Sequence, residues 1–479
     1  MKYNLIIITP DQLRADYLSC YGHPSIGTKN IDSLSDSGVQ FENCYCAAPL
    51  CGPSRISFAT STYLSEHNHR NYWSTISPDV PNLVTSLKDA GYRTGMFGKN
   101  HLFTYDRLPE LWDELDEICL GNYDGHPEYH HSYSSFTLKK DHKFNVTERL
   151  TQEAIDFVLR ENEKPFFAWI NYQDPHPAFC CPPPYDTLFD EREISLGPQY
   201  REYSSEKQPV RNSVWRTHSE MDTCDEMDVK KAIAHYMGQI RYVDDCVGKV
   251  LDSLKQNNLE DNTIILFFSD HGELLGDYNM MHKIPVFYDS LTRIPVILRH
   301  PSLYKGVKFT GLLEEVDLVP TLLEMMDVEI PPTMVGKSWF ACLGEKDYTG
   351  KQNIICEAGG GAPTCMEAIE GMKLVAPHIP TSFGPGAMIR EGNFKLSIYH
   401  DDRCELYDLS NDPHELLNLY GDPHFEDIQN RLSLHLLKRI LGTKVRRIDS
   451  LEWAYPSYPN DVRFEPLESY CSPTDTSKI

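Results

Sequence analysis

The sequence contains no long hydrophobic run. Its first apolar stretch, residues 4–9, is too short for the core of a signal peptide and lacks a small-residue cleavage site. No later stretch reaches the length that a membrane-spanning helix requires. We therefore expect a cytoplasmic protein that has no membrane partner.

Metal-binding cysteine patterns are also missing. The chain has 14 cysteines, but Cys44-x-Cys46 and Cys180-Cys181 do not have the spacing of a zinc site. Because no export signal is visible, we expect these cysteines to be reduced thiols rather than disulfides.

Positive charge is scarce as well. The chain has 45 lysines and arginines against 70 aspartates and glutamates, which gives a formal net charge of −25. This surplus of negative charge argues against nucleic acid and against an anionic membrane surface as partners. Because the overall field repels anions, an anionic substrate would need a local cluster of cations.

The length of 479 residues predicts a large domain followed by a smaller one. We expect the large domain at residues 1–350 and a C-terminal subdomain at 351–479. The subdomain contains short strand candidates separated by glycine turns, followed by a helix at about 425–441 and a tail. The candidate strands are residues 354–356, 387–390 and 394–399.

Two stretches of the large domain have little periodicity. Residues 103–144 are rich in tyrosine, histidine and aspartate, and we expect a long surface excursion there. Residues 185–224 are expected to form a second irregular insert. The tail from residue 443 could cover a groove or a contact between subunits of a homo-oligomer.

Cys51 stands at what is predicted to be the start of a helix. Pro53 suits the first helical turn, where its missing N–H costs nothing. The unpaired N–H groups of such a helix start favour a bound anion, and Arg55 adds a planar set of donors. The alternative for a cysteine in this position is a buried structural thiol.

Four apolar stretches are each followed by polar groups that anion hydrolysis needs. Buried parallel strands are predicted at residues 4–9, 92–97, 164–170 and 263–269. The residues that follow them are Asp11 and Gln12, Lys99 and His101, His176, and Asp270 and His271. Because parallel strands present their carboxyl ends at one sheet edge, we expect these side chains to meet there and the two acidic pairs to share one ion. For each pair alone, a capped turn is the competing interpretation.

The run Cys51-Gly52-Pro53-Ser54-Arg55, with Thr60 after it, resembles the signature of the type I sulfatases of the alkaline phosphatase superfamily. Ser61 departs from the glycine that is usual in that signature. Other motifs resemble the same family in order along the chain. They are Gly98-Lys99-x-His101-Leu102, Asp174-Pro175-His176-Pro177, Ser269-Asp270-His271-Gly272-Glu273, Lys283 to Arg293, and Asp412-Pro413-His414-Glu415.

This resemblance implies an α/β fold with a large mixed, mostly parallel sheet sandwiched by helices, and a smaller C-terminal α+β subdomain with an antiparallel sheet. The large domain would be the sulfatase catalytic domain. The activity implied is hydrolysis of a sulfate monoester to an alcohol and inorganic sulfate. The partners implied are a small sulfated substrate and the maturation enzyme that generates formylglycine.

The resemblance also implies roles for individual residues. Cys51 would be oxidised to formylglycine, whose hydrate is the nucleophile. One divalent cation, with calcium favoured over magnesium or manganese, would be held by Asp11, Gln12, Cys51, Asp270 and His271. Arg55, Lys99 and Lys283 would stabilise the sulfate oxygens. His176 or Lys283 would protonate the leaving alcohol, and His101 would accept the proton of the remaining hydroxyl.

The substrate itself is left open. Candidates to line a sugar site are His69, Arg70, Asn71, Trp73, Trp215 and His218, although each could equally be an ordinary surface residue. The pair Asp11-Gln12 resembles the choline-sulfatase and phosphonate monoester hydrolase branches. A phosphonate monoester or phosphodiester hydrolase is therefore the alternative enzyme, and a catalytically silent metal-dependent binding protein is a more remote alternative.

Overall fold

The computed structural model describes residues 2–71, 74–118, 131–138, 145–161, 163–201, 203, 206–302, 305–344, 349–360, 383–442 and 452–453. In this part of the chain a large sheet with helices on both faces is joined to a smaller antiparallel sheet. The predicted fold class is confirmed.

The large sheet has eight strands in the order β11-β2-β10-β9-β1-β7-β4-β5. Neighbouring strands run parallel except on either side of β10, which is antiparallel to both β2 and β9. The strands are β1 (Asn4–Ile8), β2 (Val39–Tyr45), β4 (Arg93–Lys99), β5 (Glu114–Ile118), β7 (Phe166–Asn171), β9 (Thr263–Phe268), β10 (Arg293–Arg299) and β11 (Val307–Glu314).

Helices cover both faces of this sheet. The described helices are α1 (Lys29–Ser37), α2 (Cys51–Thr60), α3 (Leu64–His67), α4 (Leu83–Asp89), α5 (Leu108–Leu111), α6 (Val146–Leu159), α7 (Pro198–Arg201), α8 (Val210–His218), α9 (Glu226–Gln256), α10 (Asp289–Thr292), α11 (Leu318–Met325) and α12 (Glu426–Gly442). Side chains of β1 alternate between the two faces. Leu5 and Ile7 pack with apolar residues of α2, α4 and α11, whereas Ile6 and Ile8 pack with those of α1, α6 and α9. None of the described helices is long and apolar enough to cross a membrane.

The four strands predicted from the sequence are β1, β4, β7 and β9, and they are neighbours in the order β9-β1-β7-β4. Their side chains are buried on both faces, as the continuous apolar runs predicted. Their carboxyl ends therefore lie side by side at one edge of the sheet.

The two stretches expected to be irregular are partly ordered. The surface excursion predicted for residues 103–144 is wrong for residues 108–118, because Leu108, Leu111 and Trp112 lie in the core and β5 forms the edge of the sheet. The predicted insert at 185–224 contains α8, whose Trp215 is buried.

The smaller sheet has four antiparallel strands in the order β12-β13-β14-β15, and α12 packs on it through Leu432 and Leu436. Its strands are β12 (Asn353–Ala358), β13 (Gly386–Glu391), β14 (Phe394–Tyr399) and β15 (Glu405–Asp408). Two short pairs complete the described strands: β3 (Ser74–Thr75) with β16 (Glu452–Trp453), and β6 (Ser135–Thr137) with β8 (Phe179–Cys181). A division between domains at residue 350 stays a prediction.

Candidate active site

The site lies where β1, β4, β7 and β9 end and α2 begins. Gly98 shows how closely the strands approach there. Its φ is +118°, and a Cβ at this position would stand 1.9 Å from the main-chain oxygen of Asn171 on β7. Only glycine fits this backbone. The close approach brings Lys99 and Asn171 to the same point of the sheet edge.

Cys51 is the first residue of α2 and is fully buried. Its Sγ lies 3.0 Å from His271 Nε2, 3.5 Å from Asp11 Oδ1 and 3.9 Å from Lys99 Nζ. Burial and the Asp11 carboxylate oppose ionisation of the thiol, but Lys283, Lys99 and His271 together lower its pKa below the ordinary value. The sulfur is therefore surrounded by charged groups, which is unusual for a structural cysteine.

Three acidic or imidazole side chains converge on Cys51. The ligand atoms of Asp11, Cys51, Asp270 and His271 all lie within 4.8 Å of one another. The Nδ1–H of His271 donates to the Gly272 carbonyl at 2.8 Å, so Nε2 faces the cluster. Burial lowers the pKa of His271, but Asp270 and Cys51 outweigh it and raise this pKa. Two carboxylates and one imidazole, all buried, are a donor set that fits a divalent cation.

Arg55 is placed behind the carboxylates. Its Nε donates to Asp270 Oδ2 at 2.9 Å, its Nη1 donates to Asn171 Oδ1 at 2.8 Å, and its Nη2 lies 3.6 Å from Asp11 Oδ2. Its side chain is 1% exposed. Only Nε bonds a carboxylate directly, and Nη2 has no hydrogen-bond partner among the described residues. Arg55 therefore braces Asp270 and Asn171 and leaves one nitrogen unbonded beside Asp11.

Two lysines enter the site, one from a strand end and one from the segment between β9 and β10. Lys99, at the end of β4, pairs with Asp11 Oδ2. Lys283 donates to the side-chain oxygen of Gln12, whose amide nitrogen donates to Glu273. Gln12 thus links Lys283 to Glu273, and its main-chain N–H donates to Asp270 Oδ1 at 3.0 Å.

Two histidines flank these lysines. Both ring nitrogens of His101 lack a hydrogen-bond partner among the described residues. The Nδ1–H of His176 donates to the Pro177 carbonyl at 2.5 Å. Burial lowers the pKa of both imidazoles, and neighbouring lysines lower it further. Both rings are therefore neutral, which suits proton transfer.

The candidate sugar-site residues are not all brought together. Arg70 lines a pocket beside Cys51, together with Leu50, Pro53 and Ile284. His69 and Asn71, which flank Arg70 in the chain, are buried. Trp215 is instead packed in an apolar cluster, and its Nε1–H donates to Met281 O at 2.8 Å, so its burial argues against a role in lining a sugar site. Trp73 and the side chain of His218 lie outside the described residues.

Sequence reasoning missed several residues that support the site. Glu273 accepts hydrogen bonds from Gln12 and from the main chain of Leu275 and His282. Glu315 is fully buried and bonds Ser54, the neighbour of Arg55. Glu273 stands in the polar run that follows β9 and could have been found from it, but no local pattern pointed to Glu315.

A buried cluster of possible metal ligands that includes Cys51 thus lies at the carboxyl edge of the large sheet. A family model described as Sulfatase matches residues 3–328, and one described as N-sulphoglucosamine sulphohydrolase, C-terminal, matches residues 380–441. Because the first match covers more than half of the chain, the protein belongs to the sulfatase family. It is an enzyme of the sulfuric ester hydrolase class.

Similar proteins cover nearly the whole chain. The sulfatase YidJ of Escherichia coli K12, described as uncharacterized, is 27% identical over 493 residues that span 96% of this chain and 91% of YidJ. An arylsulfatase of Clostridium perfringens is 26% identical, spanning 92% of this chain and 95% of the relative. The phosphonate monoester hydrolase structure of Agrobacterium radiobacter has a TM-score of 0.77 at 22% identity and spans 91% of this chain and 95% of its own. The similarity to this phosphonate monoester hydrolase shows a shared fold and nothing more.

Proposed function

We propose that this enzyme hydrolyses small organic sulfate monoesters, such as sulfated mono- or disaccharides, to an alcohol and inorganic sulfate. The observation that carries the proposal is the position of Cys51. It lies at the start of α2, within 3.5 Å of both Asp11 and His271, and beside Lys99. A nucleophile precursor, a cation site and lysines for an anion therefore share one buried point.

The proposal includes formylglycine made from Cys51 and one divalent cation, with calcium favoured because oxygen ligands dominate. Asp11, Asp270, His271, the side-chain oxygen of Gln12 and the modified Cys51 would hold the cation. When bound, it would neutralise charge and acidify a hydroxyl. The formylglycine hydrate would supply an oxygen nucleophile and then release its product by re-forming the aldehyde, which a plain thiol cannot do.

The other residues would bind the substrate and move protons. Lys99 and Lys283 would bind the sulfate oxygens, and Arg55 would fix the carboxylates of Asp11 and Asp270 as well as add positive charge. Lys283, or His176 once its Nε2 has gained a proton, would donate the proton to the leaving alcohol. His101 would accept a proton, because its neutral ring nitrogens are not engaged by other described residues.

The setting of this activity is also part of the proposal. The cysteines among the described residues are free thiols, which supports a reducing, cytoplasmic location. A formylglycine-generating maturation enzyme would act on Cys51, and the substrate would be a small sulfate ester. A homo-oligomer stays a proposal as well.

A phosphonate monoester or phosphodiester hydrolase is the second candidate. The observation that favours it is Gln12 beside Asp11, where related sulfatases often carry a second aspartate. A glutamine removes one negative charge from the site, so that the pocket tolerates a tetrahedral anion of either kind.

Parallel assays separate the two candidates. We expect a higher kcat/KM for an aryl sulfate than for an aryl phosphonate monoester of matched leaving group, with the Cys51→Ala variant as the blank. A panel of sulfated sugars would then identify the preferred substrate. Faster turnover of the phosphonate would overturn the sulfatase assignment in favour of the second candidate.

A further inference from the structure

Ser54 makes two short hydrogen bonds that one hydroxyl hydrogen cannot supply. Its Oγ lies 2.6 Å from the main-chain oxygen of Asp270 and 2.7 Å from Glu315 Oε1. A carbonyl oxygen can only accept, so the Ser54 O–H donates to Asp270. The bond to Glu315 then needs a hydrogen from the glutamate.

The hydrogen bond made by the second oxygen of Glu315 also fits a protonated carboxyl group. Oε2 accepts the main-chain N–H of Ala47 at 2.9 Å. A protonated carboxyl group at Glu315 would therefore be fully satisfied, with one oxygen accepting and the other donating. An ionised carboxylate would leave one contact with Ser54 without a hydrogen, in a place where both side chains are fully buried.

We propose that Glu315 is held in its protonated form and acts as a positioning residue. Its carboxyl O–H donates to Ser54 Oγ, and the Ser54 O–H donates to the main-chain oxygen of Asp270. This chain of two bonds fixes Asp270, whose side chain belongs to the acidic cluster, against the first turn of α2, which carries Cys51 and Arg55.

The electrostatic surroundings of Glu315 agree with the hydrogen-bond count. Burial raises the pKa of Glu315 well above its ordinary value and outweighs the hydrogen bonds with Ala47 and Ser54, which lower it. The charge of Asp270 adds to the rise, and that of Arg55 opposes it. Among the described residues, the thiols of Cys44, on β2, and Cys46 also feel the charge of Glu315, and burial keeps both neutral.

The activity readout of this inference rests on the proposed function, and two further readouts do not. Glu315→Gln can donate to Ser54 and accept from Ala47, so we expect its kcat/KM to stay within about threefold of wild type. Glu315→Leu removes both bonds and should lower kcat/KM by about 10- to 100-fold. Glu324→Leu, the same substitution on the exposed face of α11, is the control. A Gln variant as impaired as the Leu variant would overturn the proposal.

Infrared spectroscopy and stability test the protonation without any assay. The wild-type minus Glu315→Gln difference spectrum should contain the carbonyl band of a protonated carboxyl group that shifts in deuterium oxide. A raised pKa means that this group's stabilisation is lost as the pH rises, so wild type should lose stability relative to Glu315→Gln as the pH rises above the ordinary pKa of a glutamate. Absence of the band, or a stability difference that does not change with pH, would show an ionised Glu315 and overturn the proposal.

Discussion

His271 supplies the imidazole of the acidic cluster, and its geometry is set before any ion binds. The Nδ1–H is used by the Gly272 carbonyl, so Nε2 is left facing Asp11, Asp270 and Cys51. A ligand that is already oriented loses little entropy when it binds a cation. In the proposed cation site, His271 would therefore bind with its imidazole already in the required orientation.

Removing this imidazole should weaken cation binding. We expect His271→Ala to bind calcium at least about tenfold more weakly than wild type, because one of the ligands is gone. The measurement is calorimetric titration of the chelator-treated protein, with bound metal counted by elemental analysis. His424→Ala, at a side chain that is 89% exposed, is the matched control. Calcium affinity that is unchanged in His271→Ala would remove His271 from the metal site.

At the scale of elements, the sequence could predict the central strands because their signal is local. The runs that became β1, β4, β7 and β9 are apolar throughout, and polar residues follow each of them. Edge strand β5 was missed because Glu114–Ile118 has only two apolar residues, which do not alternate with polar ones, and only Ile118 is buried. A strand at the sheet edge needs fewer apolar residues than a central one.

The part of the site that directly follows the central strands was predictable, because its signal in the sequence is also local. Side chains directly after the central strands, such as Asp11 and Asp270, could be placed at one edge from sequence. The pairing of Arg55 with both carboxylates could not, because it depends on how α2 packs against β9 and β7. Glu315 and the burial of Trp215 were also out of reach, since partners distant in sequence determine both.

At the scale of the whole molecule, a buried lysine joins the two sheets. Lys395 on β14 is fully buried and pairs with Asp289 at 2.6 Å and with Glu415. Asp289 begins α10, immediately before β10 of the large sheet, and its main-chain N–H donates to Glu415 Oε2 at 2.7 Å. Burial would raise the pKa of Asp289, but Lys395 and Arg390 lower it to about 2. The small sheet is thus fixed to the large one by charged groups.

Removing Lys395 should destabilise the whole chain. We expect Lys395→Met to lower the free energy of unfolding by about 3–5 kcal/mol, because the buried Glu415 and the partly buried Asp289 lose the ammonium group that they share. Urea unfolding followed by circular dichroism measures this loss. Lys308→Met, which removes an exposed pair with Glu42 at 3.6 Å, should cost less than about 1 kcal/mol. Equal losses in the two variants would refute the role of this link.

The most direct test of the proposed function is mass spectrometry of the peptide that contains Cys51, isolated from the native cells. We expect that a large share of this peptide carries the aldehyde of formylglycine, and that this share tracks sulfatase activity across preparations. A peptide that always carries an intact thiol, in protein that nevertheless hydrolyses sulfate esters, would contradict the assignment of Cys51 as the precursor of the nucleophile.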